Sequence, residues 1–403
     1  MSNSDRPQEY DAVLGSQNTV PRGALILGGL AGIKQRLASP VIEARVEAIR
    51  EAVKYGKQGL ELAIKGLQDD SETVQQVAYL LLRKRQNPEI NRALRAYLPY
   101  RLFACTKIIK AGNGLTINST GTAIAYQKGK TIRVMNIDRG EILYTIPKYP
   151  RMREMYGLCP DVNTLIRIKN SIHSSSPAIE IWEQGELQRS LYGHQLDITA
   201  IAIDPQGKML ATGSEDGSIR LWQIATGKTM GTFSTHLIFG SHTRAVAHLS
   251  FSTDGNTLIS TAQDATLKLW DLQTRDRPYT LKTFSPRALL SPVGLILAAI
   301  SWQGKIQLWD INLEKKTNHL MTTFDDCTYS TSALAFSPYG RILVSGTRDG
   351  KISFWDVYGK TQFHELPSEG SAIDSLVLNA GGDRLFSTNK DKVLKVWEVS
   401  ERS

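Results

Sequence analysis

The sequence predicts an all-β fold made of seven copies of one small antiparallel sheet, behind a small all-α domain. The first observation is residues 193–223, where three short runs of alternating apolar and polar residues are separated by turn signals. The second is repetition, because the third run recurs seven times at intervals of 39 to 48 residues. Intervals of this length indicate a repeat architecture. The seven copies contain Met135, Trp182, Trp222, Trp270, Trp309, Trp355 and Trp397.

The turns within residues 193–223 (GHQLDITAIAIDPQGKMLATGSEDGSIRLWQ) define three strands. Residues 204–207 (DPQG) predict a turn after the first strand, and residues 215–217 (EDG) predict a tight hairpin after the second. A Gly–His pair precedes the first strand, and three of the third strands contain a Trp–Asp pair. These features resemble a blade of the WD-repeat family. The resemblance implies an all-β seven-bladed β-propeller with four-stranded blades, and it is specific from residue 190 onward.

Residues 22–99 have the pattern of helices rather than strands. Ser39 and Pro40 favour the start of a helix, and Gly56 favours its end. A further helix is predicted in residues 70–82 (DSETVQQVAYLLL), whose apolar residues fall on one face. Antiparallel helix pairs of this length resemble HEAT-like repeats. Only about two such repeats fit, fewer than a solenoid needs to stand alone, so we expect the domain to pack on the propeller or on a partner. The other predicted helices are 23–37, 57–67 and 88–98.

A closing strand is predicted where the helices end. The last blade ends at Val399, so its outer strand is missing from the C-terminus. In the propellers that this chain resembles, the first strand usually completes the last blade, and residues 102–109 (LFACTKII) are placed to do so. Closure removes an exposed sheet edge. The predicted division is therefore a mobile N-terminus over 1–21, a helical domain over 22–99 and the propeller over 100–403.

Within each blade, the resemblance implies a buried hydrogen-bond relay of His, Ser or Thr, Asp and Trp. Such a relay pairs polar groups that are otherwise costly to bury. A hydrolase triad is the alternative for His, Ser and Asp, but the spacing and the indole donor favour the structural role. Blade five has Ala299 and Gln303 at the Ser/Thr and Asp positions, so blades one, two and five are expected to depend on apolar packing and ring closure. The complete sets are His194, Thr212, Asp216, Trp222 and His242, Ser260, Asp264, Trp270; the partial sets are Ser345, Asp349, Trp355 and Ser387, Asp391, Trp397.

The rim of the predicted ring is the candidate protein-binding surface. In the family that the chain resembles, the binding face is formed by loops before the first strand and between the second and third strands. Trp302 is the only tryptophan outside a third strand, and an exposed tryptophan there would be an interface anchor. The alternative is that Trp302 packs inward because blade five is irregular. By register, the rim positions are Asp197, Glu215, Arg244, Gln263, Trp302, Arg348 and Lys390.

The charge balance is basic, with a formal net charge of +9 and a pI near 9.3. This balance allows an anionic partner such as nucleic acid, an acidic protein or a membrane surface. A mildly basic surface without such a partner is the other interpretation. A nucleic-acid or ribosome-associated function requires the basic side chains of the helical domain and blade one to share one exposed face. These are Arg83, Lys84, Arg85, Arg92, Arg95 and Arg133.

The remaining signals argue against catalysis and against membrane insertion. The histidines form no HExxH motif and no zinc-like cluster with the three cysteines, so no metal and no cofactor is expected. No run of about eighteen apolar residues predicts a transmembrane segment, and the polar N-terminus lacks the apolar core of a secretory signal. Few cysteines without a paired framework favour a cytoplasmic protein.

We therefore expect a non-catalytic scaffold that assembles complexes by binding proteins at the propeller face and at the helices. The nucleic-acid-binding or ribosome-associated function is the alternative, and an enzyme built on the propeller is the weakest hypothesis. The whole layout also resembles WD-repeat proteins of cyanobacteria with a similar helical leader. That resemblance rests on residues 11–18 (DAVLGSQN) and 28–40 (GGLAGIKQRLASP).

Overall fold

The structure is a computed structural model, and it divides the chain into two compact units, Met1–Ala104 with Glu398–Ser403, and Cys105–Trp397. The expected mobile N-terminus lies outside the described residues. The structure describes residues 29–82, 85, 88–97, 99–149, 153–170, 176–233, 241–274, 277–282, 287–292, 295–301, 303–312, 317–324, 330–367 and 370–399.

The first unit contains helices packed around a small apolar core. Leu30 and Ile33 of the first helix pack with Ala48, Ala52 and Leu62. The helices are α1 (Gly29–Leu37), α2 (Ile42–Ala52), α3 (Gly56–Lys65), α4 (Glu72–Leu82) and α5 (Pro88–Ala96), with 3-10 turns at Gly66–Gln68 and Pro99–Leu102.

The start and end of α2 differ from the sequence-based expectation. The helix begins after Val41, and no side chain caps it. Ser39 Oγ instead accepts a hydrogen bond from the Val41 backbone N at 3.2 Å, which fixes the turn before the helix. The helix ends at Ala52, and Gly56, with φ of +54°, is the first residue of α3. Glycine suits this position because the left-handed region is strained for other residues.

The strands form a seven-bladed propeller of four-stranded antiparallel sheets. Blade one contains β2 (Asn113–Ile117), β3 (Ala123–Lys128), β4 (Thr131–Asn136) and β5 (Ile142–Pro147). Blade two contains β6 (Arg153–Leu158), β7 (Thr164–Asn170), β8 (Ala178–Glu183) and β9 (Glu186–Tyr192). Blade three contains β10 (Ile198–Ile203), β11 (Met209–Ser214), β12 (Ile219–Gln223) and β13 (Thr229–Phe233). Blade four contains β14 (Val246–Phe251), β15 (Thr257–Ala262), β16 (Thr266–Asp271) and β17 (Tyr279–Lys282). Blade five contains β18 (Ala288–Leu290), β19 (Ile296–Ile300), β20 (Ile306–Asn312) and β21 (Thr317–Phe324). Blade six contains β22 (Thr331–Phe336), β23 (Ile342–Thr347), β24 (Ile352–Asp356) and β25 (Thr361–Leu366).

Blade seven joins the two ends of the strand-forming chain. Its strands are β26 (Ile373–Leu378), β27 (Arg384–Asn389) and β28 (Val393–Val399), and its outer strand is β1 (Phe103–Lys110), in the order β1-β28-β27-β26. After β1, the backbone N of Ala111 donates to the carbonyl of Lys392 at 2.9 Å. The outer edge of β28 is therefore paired rather than exposed.

Tryptophans of the third strands pack against the preceding blade. Trp270 of blade four lies in one apolar cluster with Leu221 and Phe233 of blade three, and its ring centroid is 4.5 Å from that of Phe233. Trp355 of blade six contacts Phe324 of blade five in the same way, also at 4.5 Å. The recurring aromatic residue is thus a contact between sheets, which explains why it marks the repeat in the sequence.

A recurring bulge brings neighbouring first strands together. It occurs in blades three, four, six and seven. In blade three, the hydroxyl of Thr199 donates to the Val246 carbonyl of blade four at 2.6 Å. Ser332 of blade six bonds the Ile373 carbonyl of blade seven at 2.5 Å. Gly213 allows the close approach in blade three, because a Cβ there would lie 2.5 Å from Val246 Cγ1.

The seven first strands line a central cavity of about 480 Å³. The first strand of each blade begins, and the second turns into the third, at one end of the ring, because antiparallel strands alternate in direction. We call this end the top face and the other end the bottom face.

Candidate functional site

Blade three contains a buried relay whose members differ from the expected set. Thr212 Oγ1 lies 2.8 Å from His194 Nε2 and accepts a hydrogen bond from Trp222 Nε1 at 2.9 Å. The other imidazole nitrogen, Nδ1, lies 3.2 Å from Ser218 Oγ. Asp216 is exposed, and its carboxylate accepts from the Ser218 backbone N at 2.8 Å. The carboxylate therefore orders the hairpin, while the Ser218 hydroxyl contacts the imidazole.

Blade four brings its four expected residues into one network. Ser260 Oγ lies 2.7 Å from His242 Nε2 and accepts from Trp270 Nε1 at 2.8 Å. Asp264 Oδ2 lies 3.2 Å from His242 Nδ1. Thr266, two residues after the aspartate, adds a contact of 2.9 Å to the same nitrogen. Sequence reasoning missed Thr266 and its blade-three counterpart; a hydroxyl two residues after the aspartate is the signal that could have found them.

The relay histidines are neutral at pH 7. Burial lowers the pKa of His194 to about 4, and it has the same effect on the pKa of His242, also to about 4. Burial alone would raise the pKa of Asp264, but hydrogen bonds from Thr266 and the Thr243 backbone lower it. The network is therefore a neutral imidazole beside an ionised carboxylate, and Ser260 and Thr212 are fully buried. A serine that is buried and held by an indole cannot reach a substrate.

Blades six and seven retain a two-residue version of the relay. Trp355 Nε1 donates to Ser345 Oγ at 2.8 Å, and Trp397 Nε1 donates to Ser387 Oγ at 2.8 Å. The two aspartates stand outside these pairs: Asp349 accepts a hydrogen bond from the Thr347 hydroxyl, and Asp391 is exposed. Neither blade has His at the first position: Cys327 and Glu369 stand there in the sequence and lie outside the described residues.

Blade five leaves its tryptophan without an acceptor. Trp309 Nε1 is buried and has no hydrogen-bond partner among the described residues. The Ser/Thr position is Ala299, which pairs with Gln307 in the sheet. Gln303, at the Asp position, is exposed, and Trp302 lies outside the described residues.

Blade two, which was expected to depend on apolar packing and ring closure, contains buried charges in addition to its apolar clusters. Glu180 is 2% exposed, and its carboxylate accepts from Arg167 Nε at 2.9 Å, Lys169 Nζ at 2.7 Å and Trp182 Nε1 at 2.9 Å. The Arg167 guanidinium also stacks on Tyr149 and Trp182, 4.3 and 4.8 Å from the ring centroids. Burial alone would raise the pKa of Glu180, but hydrogen bonds from Lys169 and Arg167 lower it. The glutamate replaces the Ser/Thr hydroxyl as the indole acceptor.

Four rim positions lie in one register on the top face. At each of these positions, the backbone N donates a hydrogen bond to the carbonyl of the residue that precedes the first strand of the same blade. The four acceptors, in blade order, are Asp197 at 3.0 Å, Ala245 at 2.9 Å, Ser330 at 3.2 Å and Ala372 at 3.0 Å. All four of their side chains are exposed. These donors are Glu215, Gln263, Arg348 and Lys390.

Two other predicted rim residues, Arg244 and Trp302, are not among these four donors. Arg244 is exposed, but the counterpart of Asp197 is Ala245, so Arg244 is one residue ahead of the assigned register. The sequence spacing agrees with the backbone bond, because Asp197 and Ala245 each follow their relay histidine by three residues, whereas Arg244 follows His242 by two. Trp302, the proposed anchor, lies outside the described residues.

The predicted basic patch is only partly described. Arg85 and Arg92 are exposed in the helical unit. Arg133 is half-buried in blade one, where its Nε has no partner among the described residues. The side chains of Arg83, Lys84 and Arg95 lie outside the described part.

A second histidine environment occurs in the central cavity. His248 lines the cavity, and its Nδ1 is buried without a hydrogen-bond partner among the described residues. Burial, and then the nearby Arg287 charge, lower the pKa of His248 to about 4. Arg287 Nη1 donates to the Asp374 carbonyl at 2.8 Å, which links blade five to blade seven.

Neither a metal site nor a membrane-spanning helix is found among the described residues. No group of three or more His, Cys, Asp or Glu side chains is placed to hold a metal ion in the part of the chain that the structure describes. Within that same part, every helix is too short or too polar to cross a bilayer.

Comparison with known proteins identifies WD40 repeats in this chain. The model of the WD domain, G-beta repeat, matches residues 185–223, 228–271 and 318–356. Periodic tryptophan protein 2 of Arabidopsis thaliana is 26% identical over 214 residues, which cover 52% of this chain and 23% of that protein. Pre-rRNA-processing protein IPI3 of Mycosarcoma maydis is 36% identical over 104 residues, covering 25% and 16%. The matches thus span less than a quarter of either relative.

A solved structure has the same fold. A chain in the crystal structure of a mitotic checkpoint complex aligns with a TM-score of 0.61 and 18% identity, covering 74% of this chain and 96% of that one. At this identity, the likeness concerns the seven-bladed fold alone.

Proposed function

We propose that this WD40-repeat protein is a non-catalytic scaffold that binds other proteins through the top face of its propeller. The observation that carries the proposal is the exposed register of Glu215, Gln263, Arg348 and Lys390. These side chains project from equivalent turns of four blades, whereas the His and Ser side chains of the relays are buried. Exposed side chains on a rigid framework are available for recognition. The buried hydroxyls support a structural rather than a catalytic role for the relays.

The finer parts of the proposal concern organisation and context. We propose a HEAT-like helical domain over 22–99 that offers a second protein-binding surface, and a propeller over 100–403. The exposed face of the helices is consistent with such a surface, because about two repeats are too few for an independent solenoid. A cytoplasmic setting and a kinship with cyanobacterial WD-repeat proteins belong to the same proposal.

The test is capture of partners from native extract by the full-length protein and by two matched triple variants. The top-face variant is Gln263→Arg/Arg348→Glu/Lys390→Glu. The bottom-face control is Gln223→Arg/Lys208→Glu/Lys228→Glu, which makes the same charge changes at exposed residues of the opposite end. We expect partners to be lost with the top-face variant and retained with the control, at unchanged melting temperature. Equal capture by both variants would refute binding at the top face.

A nucleic-acid-binding or ribosome-associated function is the second candidate. It is favoured by the net charge of +9 and the exposed Arg85 and Arg92, and by similarity to a pre-rRNA-processing protein. Binding of this kind weakens steeply with salt because counterions are released. Binding of total RNA that falls at least tenfold between 50 and 200 mM salt, and is reduced in Arg85→Glu/Arg92→Glu, would support it.

A further inference from the structure

The top face has an uneven charge distribution. Blade three presents Asp197, Glu215 and Asp216 there. Blades six, seven and one present an excess of exposed cations, although Asp391 is exposed and Asp349 half-buried in the same turns. We call the set of these cations the basic crescent. Its members are Lys110, Lys128, Lys130, Arg348, Lys390 and Lys392.

The crescent lies on three consecutive blades. Blade six is joined to blade seven by the Ser332–Ile373 hydrogen bond. Blade seven is joined to blade one by an apolar cluster that includes Phe386 and Ile124. Four of the cations occupy turns between second and third strands, Lys128 ends β3 beside such a turn, and Lys110 ends β1 at the same end of blade seven. The crescent is therefore one continuous arc of the ring.

The backbone fixes where the crescent turns point. The Lys130 carbonyl accepts from the Lys148 backbone N at 2.9 Å, and the Lys392 carbonyl accepts from Ala111 at 2.9 Å. The turn of blade one is open, since a Cβ on Gly129 would meet nothing within 4 Å. Rigid turn backbones with free tips hold the charges at fixed spacing while leaving the side chains accessible.

The crescent cations are not used in the fold. None of the six forms an ion pair with a described residue, although Lys351 beside them pairs with Glu365 at 3.3 Å. Lys390 does act at longer range, where its charge lowers the pKa of Asp374 against the larger effect of burial. The exposed Asp391 and the half-buried Asp349 offset only part of the charge of these six cations. The excess of like charge on one arc is repulsive, so an anionic partner would stabilise it.

Lys392 is placed where glycine would be expected. Its φ is +66°. The equivalent turn positions in blades three and six are Gly217 and Gly350, with φ of +79° and +88°, while blade four has Ala265 with φ of +61°. A lysine in the left-handed region is strained, whereas glycine is not. Blade seven thus keeps a cation at a position that the turn itself would fill better with glycine.

We propose that the basic crescent binds an acidic, Asp/Glu-rich segment of a protein partner. This rests on the proposed scaffold function and names the chemistry of one partner. An extended acidic segment would follow the arc from blade six to blade one, its carboxylates paired with successive turn lysines. The carboxylates of blade three would repel such a segment, so the charge pattern also sets where on the ring it lies.

The chemistry of the crescent favours carboxylates over nucleic acid. Proteins that bind single strands stack bases on aromatic side chains. The exposed tyrosines of the described residues lie outside the crescent: Tyr339 and Tyr358 lie in bottom-face turns of blade six, and Tyr192 ends β9 of blade two. Duplex recognition places a helix or ribbon in a groove, and the described turns of the crescent are too short for either. Five of the six cations are lysines. A lysine ammonium acts as a point charge, whereas an arginine guanidinium can form two parallel hydrogen bonds with one phosphate.

The test measures binding of a fluorescein-labelled 16-residue poly-glutamate peptide to the full-length protein by anisotropy. The crescent variant is Lys128→Gln/Lys130→Gln/Lys390→Gln/Lys392→Gln. The control, Arg139→Gln/Lys208→Gln/Lys228→Gln/Lys360→Gln, removes the same charge from exposed bottom-face residues. We expect the crescent variant to bind at least tenfold more weakly and the control to change affinity less than twofold. Lys392→Gly should raise the melting temperature yet weaken peptide binding two- to threefold.

Three results would overturn the proposal. They are absence of peptide binding at 50 mM salt, equal losses in the two quadruple variants, and tighter binding of a 16-nucleotide strand or duplex than of the peptide at the same salt. The last result would favour a nucleic-acid partner. A result that refutes acidic-segment binding by the crescent can be distinguished from one that refutes the scaffold function. Extract partners that the top-face triple variant loses, but that the crescent variant retains, would leave the scaffold standing without the crescent.

Discussion

The indole of Trp309 offers a direct test of the relay. In blades four and six, the equivalent indoles donate to Ser260 and Ser345 at 2.8 Å, whereas blade five has Ala299. We expect Ala299→Ser to supply the missing acceptor and raise the free energy of unfolding by about 1 kcal/mol, the usual net worth of a hydrogen bond. Urea unfolding would measure the change.

The neighbouring alanine is a matched control for that substitution. Ala298 is equally buried, but it pairs with Leu308 and lies in a different apolar cluster from Ala299. Ala298→Ser therefore buries a hydroxyl without an indole donor, and should destabilise the protein by about 1–3 kcal/mol. If the two serine variants behave alike, the relay geometry does not determine the effect.

The two relay aspartates should differ in importance. Asp264 accepts hydrogen bonds from Thr243 and Thr266 and contacts His242. Asp264→Ala would leave these donors without an acceptor, and should lower the free energy of unfolding by about 1–3 kcal/mol. Asp216 is exposed and does not bond His194, which keeps its contact with Ser218. We expect Asp216→Ala to cost about 1 kcal/mol or less in thermal or urea melts. A larger loss for Asp216→Ala would contradict the assigned partners.

Stability should fall in mild acid because buried histidines remain neutral. The pKa values of His194, His242 and His248 are lowered from 6.5 to about 4. Between pH 6.5 and 4, the unfolded chain binds protons that the folded chain excludes, so the free energy of unfolding decreases as the pH falls through this window. His248→Leu removes one such group without breaking a relay, and should make the decrease shallower. Urea midpoints of the two proteins at pH 7.5, 6 and 5 would measure this pH dependence. If it is the same in His248→Leu as in the parent, His248 is not held neutral by the fold.

At the level of single blades, the sequence predicts strands better than the contacts between them. The third strands were found because their tryptophans must pack on the preceding sheet, as Trp270 does on Phe233, and packing imposes a visible period. The Arg167–Glu180 pair of blade two was missed, because its partners face each other across two strands and no repeat marks them. Asp216 was assigned by spacing, which cannot show which of two polar groups, carboxylate or Ser218 hydroxyl, reaches the imidazole.

Contacts between blades give a prediction about strand packing. Gly213→Ala would place a Cβ 2.5 Å from Val246 Cγ1 of the next blade, and such overpacking typically costs about 1–3 kcal/mol. Val246→Ala alone should also destabilise, because it empties a fully buried site. Val246→Ala removes the Cγ1 contact at 2.5 Å but keeps the Cβ, 2.7 Å from the added methyl. Because the relief is partial, we expect the double variant to lose less stability than the sum of the two single losses, but to remain destabilised. A double-mutant cycle in urea would measure this coupling, and strict additivity would contradict the contact.

Closure of the ring is a property of the whole molecule, and it depends on eight residues far from the C-terminus. The strand order β1-β28-β27-β26 assigns Phe103–Lys110 to the outer edge of the last blade. Sequence reasoning placed this strand at 102–109, one residue away, from the unfilled outer position of blade seven. The helices before residue 99 supply no strand to the ring.

Removing residues 1–98 should therefore differ sharply from removing residues 1–110. The shorter deletion keeps β1, so the propeller should remain soluble and melt in one cooperative transition. The longer deletion unpairs β28, breaking bonds such as the one from Thr106 Oγ1 to the Val396 carbonyl, and leaves a long strand edge that can pair with other chains. We expect aggregation and a lower, broader melt for the longer deletion only, measured by light scattering and calorimetry. Equal solubility and melting of the two proteins would mean that β1 is dispensable, and that apolar packing between blades closes the ring without it.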